Sequence, residues 1–173
     1  MVIWLIGMSG SGKTTIGRAI ANQLRKLAPN TVLLDGDEIR GVFAYDQGDH
    51  PYAIEGRLIN AERITALCEL LDRQGIHVVC CVLSIFPEMR SGNRHRFSAY
   101  FEVFMDAPLS VLESRDVKGL YASARRGEAK NVVGVDIPFP RPDQADMVID
   151  SSGVVDNIEA LASQVLRKVG LLQ

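Results

Sequence analysis

The sequence has no long apolar run, no strong excess of either charge and few cysteines, and each shortage removes a class of function. Lys and Arg number 19 against 21 Asp and Glu, a formal net charge of -2. That balance supplies no basic field to draw a nucleic-acid backbone or an anionic membrane surface. The opening apolar stretch, residues 2–6, runs straight into glycines, is too short to span a bilayer, and lacks the basic flank of a secretory leader. Only three cysteines occur, and Cys80 and Cys81 are adjacent, so on a strand they point to opposite faces. Their spacing matches no metal site, and with Cys68 they read as buried, reduced thiols of a cytoplasmic protein. The single tryptophan, Trp4, is expected in the core.

What is present is a regular alternation. Short apolar runs at 2–6, 31–34, 77–83, 100–105 and 147–149 are separated by longer helix-periodic stretches. Ile16, Ile20, Leu24 and Leu27 recur at helical spacing within 13–27, and Ile64, Leu67, Leu70 and Leu71 do so within 60–71. Ile158, Leu161 and Val165 mark a last helix over 155–169, while Glu69 and Asp72 read as outward-facing helix residues. The third run is apolar at nearly every position, as a strand covered on both faces requires. The expectation is a three-layer α/β fold of the P-loop type, one domain over residues 1–173 with a parallel five-stranded sheet and helices on both faces. Residues 127–142 are rich in Gly and Pro and are expected to form a long mobile loop.

Gly7-Met8-Ser9-Gly10-Ser11-Gly12-Lys13-Thr14 fits G-x-x-x-x-G-K-[ST] and lies between the first strand and the first helix. Such a loop turns its backbone N–H groups around a phosphate chain, here through Gly7, Ser9, Gly10, Ser11 and Gly12, and the helix N-terminus adds its positive dipole end. Lys13 is placed to neutralise the β- and γ-phosphates of ATP, Thr14 to offer its hydroxyl to Mg²⁺, and Thr15 to flank them. A guanine-specific switch needs an N-K-x-D element, and none is present. Asp116-Val117-Lys118-Gly119 satisfies D-x-x-G but falls in a helical segment rather than at a strand end. The pattern therefore favours a kinase over a switch, and a nucleotide-dependent binding module remains the non-enzymatic alternative.

After the second strand, Asp35-Gly36-Asp37-Glu38-Ile39-Arg40 sets carboxylates and an arginine at a strand's carboxyl end, where open α/β sheets bind ligands. Asp37 is suited to accept the proton of an attacking hydroxyl or to orient Mg²⁺, and Arg40 to hold an anionic acceptor. The competing role for Asp37 is a helix N-cap.

GMSGSGKTT, LLDGDEIR, the array Arg57-x-x-Asn60-x-x-Arg63 and Arg115-Asp116-Val117-Lys118-Gly119-Leu120-Tyr121 together make the chain resemble the adenylylsulfate (APS) kinases along nearly its whole length. The resemblance implies ATP with Mg²⁺, and phosphoryl transfer to the ribose 3′-hydroxyl of a nucleotide-linked acceptor. It implies that Lys13 and Asp37 carry catalysis, that Thr14 and Asp37 attend the metal, and that Arg115 joins the ATP site. Arg40, Arg57 and Asn60 would meet the acceptor's anionic end with Ser84 beside them. Asp35, Ile85, Phe86 and Lys118 would complete the acceptor site. Arg115 and Lys130 would lie in a lid over about residues 115–142 that closes on both substrates.

Departures from the family pattern bear on the acceptor. The usual F-T-G-I after the lid lysine is here Asn131-Val132-Val133-Gly134, so Val132 stands where a phenylalanine stacks on adenine. The stacking aromatic after D-L-G is replaced by Asp49-His50-Pro51-Tyr52, with Tyr52 or His50 as substitute. S-P-[FY]-R becomes Ser84-Ile85-Phe86-Pro87, with Arg90 and Arg94 as candidates for the lost arginine. A valine covers a base but stacks less well than a ring. This variant pattern resembles the cytidine diphosphoramidate kinases of capsule biosynthesis, which favours a CDP-linked phosphoramidate over adenylylsulfate. The expected partner is thus a small nucleotide acceptor, neither nucleic acid nor membrane, with a homodimer left open.

Overall fold

The computed structural model describes residues 1–43, 52–116, 118–153 and 156–172. Strands β1 (Val2–Ile6), β2 (Thr31–Asp35), β3 (His77–Val82), β4 (Tyr100–Asp106) and β5 (Met147–Asp150) form one sheet in the order β2-β3-β1-β4-β5. Every pairing is parallel. Helices α1 (Lys13–Leu27), α2 (Gly36–Val42), α3 (Ile54–Arg73), α4 (Pro87–Arg96), α5 (Leu109–Arg115), α6 (Leu120–Arg125) and α7 (Ile158–Val169) connect and flank the strands. The expected three-layer α/β fold is the observed one.

Strand alternation divides the core. Ile3 and Leu5 pack with Ile16, Ile20 and Leu24 of α1 and with Val165 and Leu166 of α7. Val2, Trp4 and Ile6 face the other way, toward Ile64 and Cys68 of α3 and Phe97 after α4. Cys81 and Cys80 fall on opposite sides, and all three thiols are buried and free. Burial raises the Cys81 thiol to about 12, which leaves it inert.

Adjacent strands β1 and β3 send their chains to opposite faces, β1 to α1 and β3 to α4. That divergence opens a crevice beyond the carboxyl ends of the strands, the natural ligand site of such sheets.

Some expectations are corrected. α3 starts at Ile54 rather than 60, and its first turns expose Ile54, Leu58 and Ile59, which breaks the amphipathic pattern that marked the rest. Asp72 is buried, not outward-facing: its carboxylate accepts from Ser98 N at 2.7 Å and from Ser98 Oγ at 2.8 Å. Glu69 is half-buried, its carboxylate paired with Arg73 and Arg96. Residues 127–142 carry little regular structure, but Val132, Val133 and Ile137 are buried and a bridge joins Val133 to Ile137. The apolar residues scattered among the glycines and prolines anchor this segment. Among the described residues, no helix is long and apolar enough to cross a membrane.

α1 approaches β3 so closely that a Cβ built on Gly17 would stand 2.2 Å from Cys81 Sγ. Gly17→Ala is expected to destabilise by roughly 1–3 kcal/mol through overpacking, outweighing the ~1 kcal/mol that alanine adds to a helix interior. Cys81→Ala in the same chain should recover much of the loss. An unchanged urea midpoint for Gly17→Ala would remove this close approach as a packing constraint.

Candidate functional site

The P-loop begins where β1 ends. At Gly7 any Cβ would fall 2.5 Å from Ser11 Oγ and 2.8 Å from the Met105 carbonyl oxygen. Gly12 caps α1 at φ 89°, a left-handed conformation, and among the described residues no side chain caps the first-turn N–H groups. Those donors are left to meet an anion. Lys13 Nζ donates to the Met8 carbonyl oxygen at 2.8 Å. Desolvation lowers the Lys13 ammonium to about 8, against the opposing pull of Cys81, Asp37 and Asp35. The Tyr121 hydroxyl donates to the Ser9 carbonyl oxygen at 2.9 Å, so α6 braces the loop from outside.

β2 delivers Asp35 to the same edge. Its Oδ1 accepts from Asp37 N at 2.9 Å, capping α2, and its Oδ2 accepts the Thr14 hydroxyl at 2.6 Å. The cap of α2 is therefore Asp35. Asp37 keeps an exposed carboxylate, which pairs with Lys118 Nζ at 3.0 Å. The hydrogen bond and charge of Asp37 raise the Lys118 pKa. Thr14 Oγ1 and Asp35 Oδ2 are hard oxygen donors side by side, which suits Mg²⁺, an ion that takes one or two protein oxygens and fills its shell from phosphate and water. Among the described residues no cluster of three His, Cys, Asp or Glu forms a closed metal cage.

The residues expected to meet an acceptor come from α2, α3 and the segments around them. Arg57 donates from Nε to the Tyr52 carbonyl oxygen and from Nη2 to that of Asn131, each at 2.8 Å. Asn60 Nδ2 reaches the Gly36 carbonyl oxygen at 3.5 Å. The Arg40 and Arg57 guanidinium carbons lie 4.9 and 5.7 Å from the centre of the Tyr52 ring. Burial, and then the neighbouring charge of Arg40, lowers the Arg57 pKa. Two cations on one aromatic ring form a positive wall suited to an anion.

One cleft of about 740 Å³ unites these groups. Ser9, Gly10, Gly12, Lys13, Thr14 and Thr15 line one part of it, with Asp35 and Asp37 beside them. Arg40, Tyr52, Arg57 and Asn60 line another, with Ser84, Ile85 and Phe86 after β3 and with Lys118, Lys130 and Val132. Val132 is almost fully buried, packed with Leu112 and Tyr121. Gly7 and Ser11 stand behind the lining, and His50 lies outside the described residues.

Other expected positions fall elsewhere. Arg115 donates to the carbonyl oxygens of Ser151, Ser152 and Gly153 at 2.6, 2.7 and 2.8 Å, clamping the chain after β5 rather than lining the cleft. Of the D-x-x-G stretch, Asp116, Lys118 and Gly119 lie between α5 and α6 rather than in a helix, and the Asp116 carboxylate accepts from Ala122 N at 2.8 Å. Arg90 is buried and donates to the Ser84 carbonyl oxygen at 2.8 Å, holding Ser84 at φ 56°. Arg94 is taken up by Asp146 at 3.2 Å and the Gln144 carbonyl oxygen at 2.6 Å. Neither arginine replaces the one missing after β3. The sequence did not flag the brace from Tyr121, nor Trp4, Ile64, Thr65 and Met89 as cleft residues, because their pattern is that of an ordinary core.

Comparison with known proteins agrees with this geometry. Residues 1–150 match the adenylylsulphate kinase family. A cytidine diphosphoramidate kinase from Campylobacter jejuni is 38% identical over 170 residues, 98% of this chain and 96% of the relative. An adenylyl-sulfate kinase from Gloeothece citriformis is 36% identical over 172 residues, covering 99% and 95%. The APS kinase of Mycobacterium tuberculosis, solved in complex with AMPPNP and APS, superposes with a TM-score of 0.84 at 32% identity, covering 98% and 96%. A Walker-type loop opening on a cleft of carboxylates and arginines, joined to similarity along the whole chain, makes this protein a member of the adenylylsulphate kinase family, a kinase that phosphorylates a hydroxyl group.

Proposed function

We infer that the chain transfers the γ-phosphate of ATP to the ribose 3′-hydroxyl of a nucleotide carrying a small group on its phosphate tail, with a CDP-linked phosphoramidate as the favoured acceptor. The observation that carries this reading is the shared cleft, where Lys13 and Thr14 stand in the same space as Asp37, Arg40, Arg57 and Asn60. Lys13 and the loop N–H groups hold the triphosphate; Arg40 and Arg57 hold the acceptor's phosphates. Mg²⁺ held by Thr14, with Asp35 behind it, would draw negative charge from the β- and γ-phosphates. Asp37 takes the proton of the 3′-hydroxyl as its oxygen bonds to the γ-phosphorus, while the bond to the bridging oxygen breaks and ADP leaves. Lys118 positions the Asp37 carboxylate, and the rest of catalysis is alignment and charge neutralisation.

The choice of acceptor rests on the base. At the two positions where the family carries stacking phenylalanines, Val132 and Tyr52 stand instead, so the described residues give no pair of phenylalanines there to clamp a purine. The 38% identity to the Campylobacter enzyme supports the cytidine reading. Adenylylsulfate is the second reading, supported by adenylyl-sulfate kinases at 36–40% identity.

In an ADP-release assay, cytidine diphosphoramidate is expected to exceed adenylylsulfate in kcat/KM by about tenfold or more. The reverse order makes the chain an adenylylsulfate kinase, and no stimulation by either removes the nucleotide acceptor. Asp37→Asn should lower kcat by roughly 10²- to 10⁴-fold with little change in acceptor KM; a loss confined to KM would make this carboxylate a binding group only. Because Lys13 titrates near 8 in the free protein, and only its ammonium form attracts phosphate, ATP affinity should be level below that pH. It should weaken above it, approaching about tenfold per pH unit. Calorimetric titration from pH 7.5 to 9.5 checks the sign, and Lys13→Arg should bind with no such slope.

A further inference from the structure

The cleft does not stop at the anion-binding side chains. It continues inward to a recess lined by Trp4, Ala61, Ile64, Thr65, Phe86 and Met89. Thr65 lies beyond Asn60 on α3, about 7–8 Å farther along the helix axis. Trp4 lies on β1 about 10 Å below the start of the P-loop, measured along the strand. The recess therefore opens behind the residues assigned to the acceptor's phosphates.

Its wall is uncharged and mostly apolar, with two exceptions. Trp4 Nε1 and Thr65 Oγ1 are buried, and neither has a hydrogen-bond partner among the described residues. The two residues are only 4% and 2% exposed. Buried polar atoms in folded proteins are nearly always satisfied, and an orphan at the end of a ligand cleft points to the ligand. Met89, with its unbranched and adaptable side chain, lets the wall adjust to a group entering it.

We propose that this recess receives the terminal phosphoryl group of the acceptor's tail and selects a neutral amino substituent on it over a further oxygen anion. The proposal rests on the reading above, in which Arg40, Arg57 and Asn60 hold the phosphates, so that whatever is attached beyond them enters the recess. An indole N–H only donates, whereas a threonine hydroxyl both donates and accepts. Trp4 thus bonds a phosphoryl oxygen and the Thr65 oxygen accepts from the amino group of a phosphoramidate. A second oxygen anion in place of the amino group would add its charge among six neutral side chains, none of which offsets the further loss of water.

Cytidine diphosphoramidate and CDP differ only in that terminal group and make the test direct. The wild-type protein should phosphorylate the phosphoramidate with a kcat/KM roughly tenfold or more above CDP, the worth of one well-made hydrogen bond. Thr65→Val should lower kcat/KM for the phosphoramidate about tenfold through KM, leave the KM values for ATP and CDP unchanged, and be rescued by Thr65→Ser. Trp4 is the sole tryptophan, so its emission in the wild-type protein should shift on adding the phosphoramidate and not on adding CDP, whatever the fate of the variants. Equal effects of Thr65→Val on both nucleotides, or none, with Trp4 emission indifferent to the terminal group, overturn the proposal while leaving the kinase reading intact. Turnover of adenylylsulfate alone would instead remove the acceptor reading on which the proposal stands.

Discussion

The Asp35 carboxylate fastens the two halves of the site to each other. One oxygen accepts the first-turn amide of α2 and the other accepts the Thr14 hydroxyl at the start of α1. The carboxylate is buried, so both bonds act where water competes little for them. Asp37 and Arg40 ride on α2, whose entry Asp35 fixes, and Lys13 precedes Thr14. The Thr14 end of the loop and the Asp37 end of α2 are thus joined through a single side chain at the end of β2.

Around that joint, arginines that look alike in sequence do different work. Arg40 and Arg57 crowd one tyrosine ring, two like charges that an anion between them would offset. Arg90, Arg94 and Arg115 are turned to carbonyl oxygens and a carboxylate, and hold up backbone instead. Ser84 keeps a left-handed backbone conformation that non-glycine residues seldom adopt, steadied by Arg90. Charge count alone could not separate these roles; burial and the direction of each guanidinium do.

Much of this was legible in the residues. The strands follow from apolar runs, the loop from its glycines and lysine, and the gathering of Asp37, Arg40, Arg57 and Asn60 in one cleft from the motifs that carry them. What escaped depends on tertiary placement. The early turns of α3 expose apolar side chains, so periodicity could not mark where the helix begins. Asp72 is drawn inward by Ser98, distant in sequence. Asp35 was read with the acceptor, but the sequence carries no sign that its second oxygen meets Thr14. The cleft's inner wall was hidden because Trp4, Ile64 and Thr65 are spaced like any other core residues.

The pairing of Lys118 with Asp37 ties a residue lying between α5 and α6 to the start of α2 through two largely exposed side chains. Contacts of that kind contribute about 0–1 kcal/mol and weaken as salt is added. The bonds of Asp35, buried beside them, are insulated from dissolved ions. Ionic strength therefore acts unevenly on this enzyme: it loosens the hold of Lys118 on Asp37 while the joint between the loop and α2 keeps its shape.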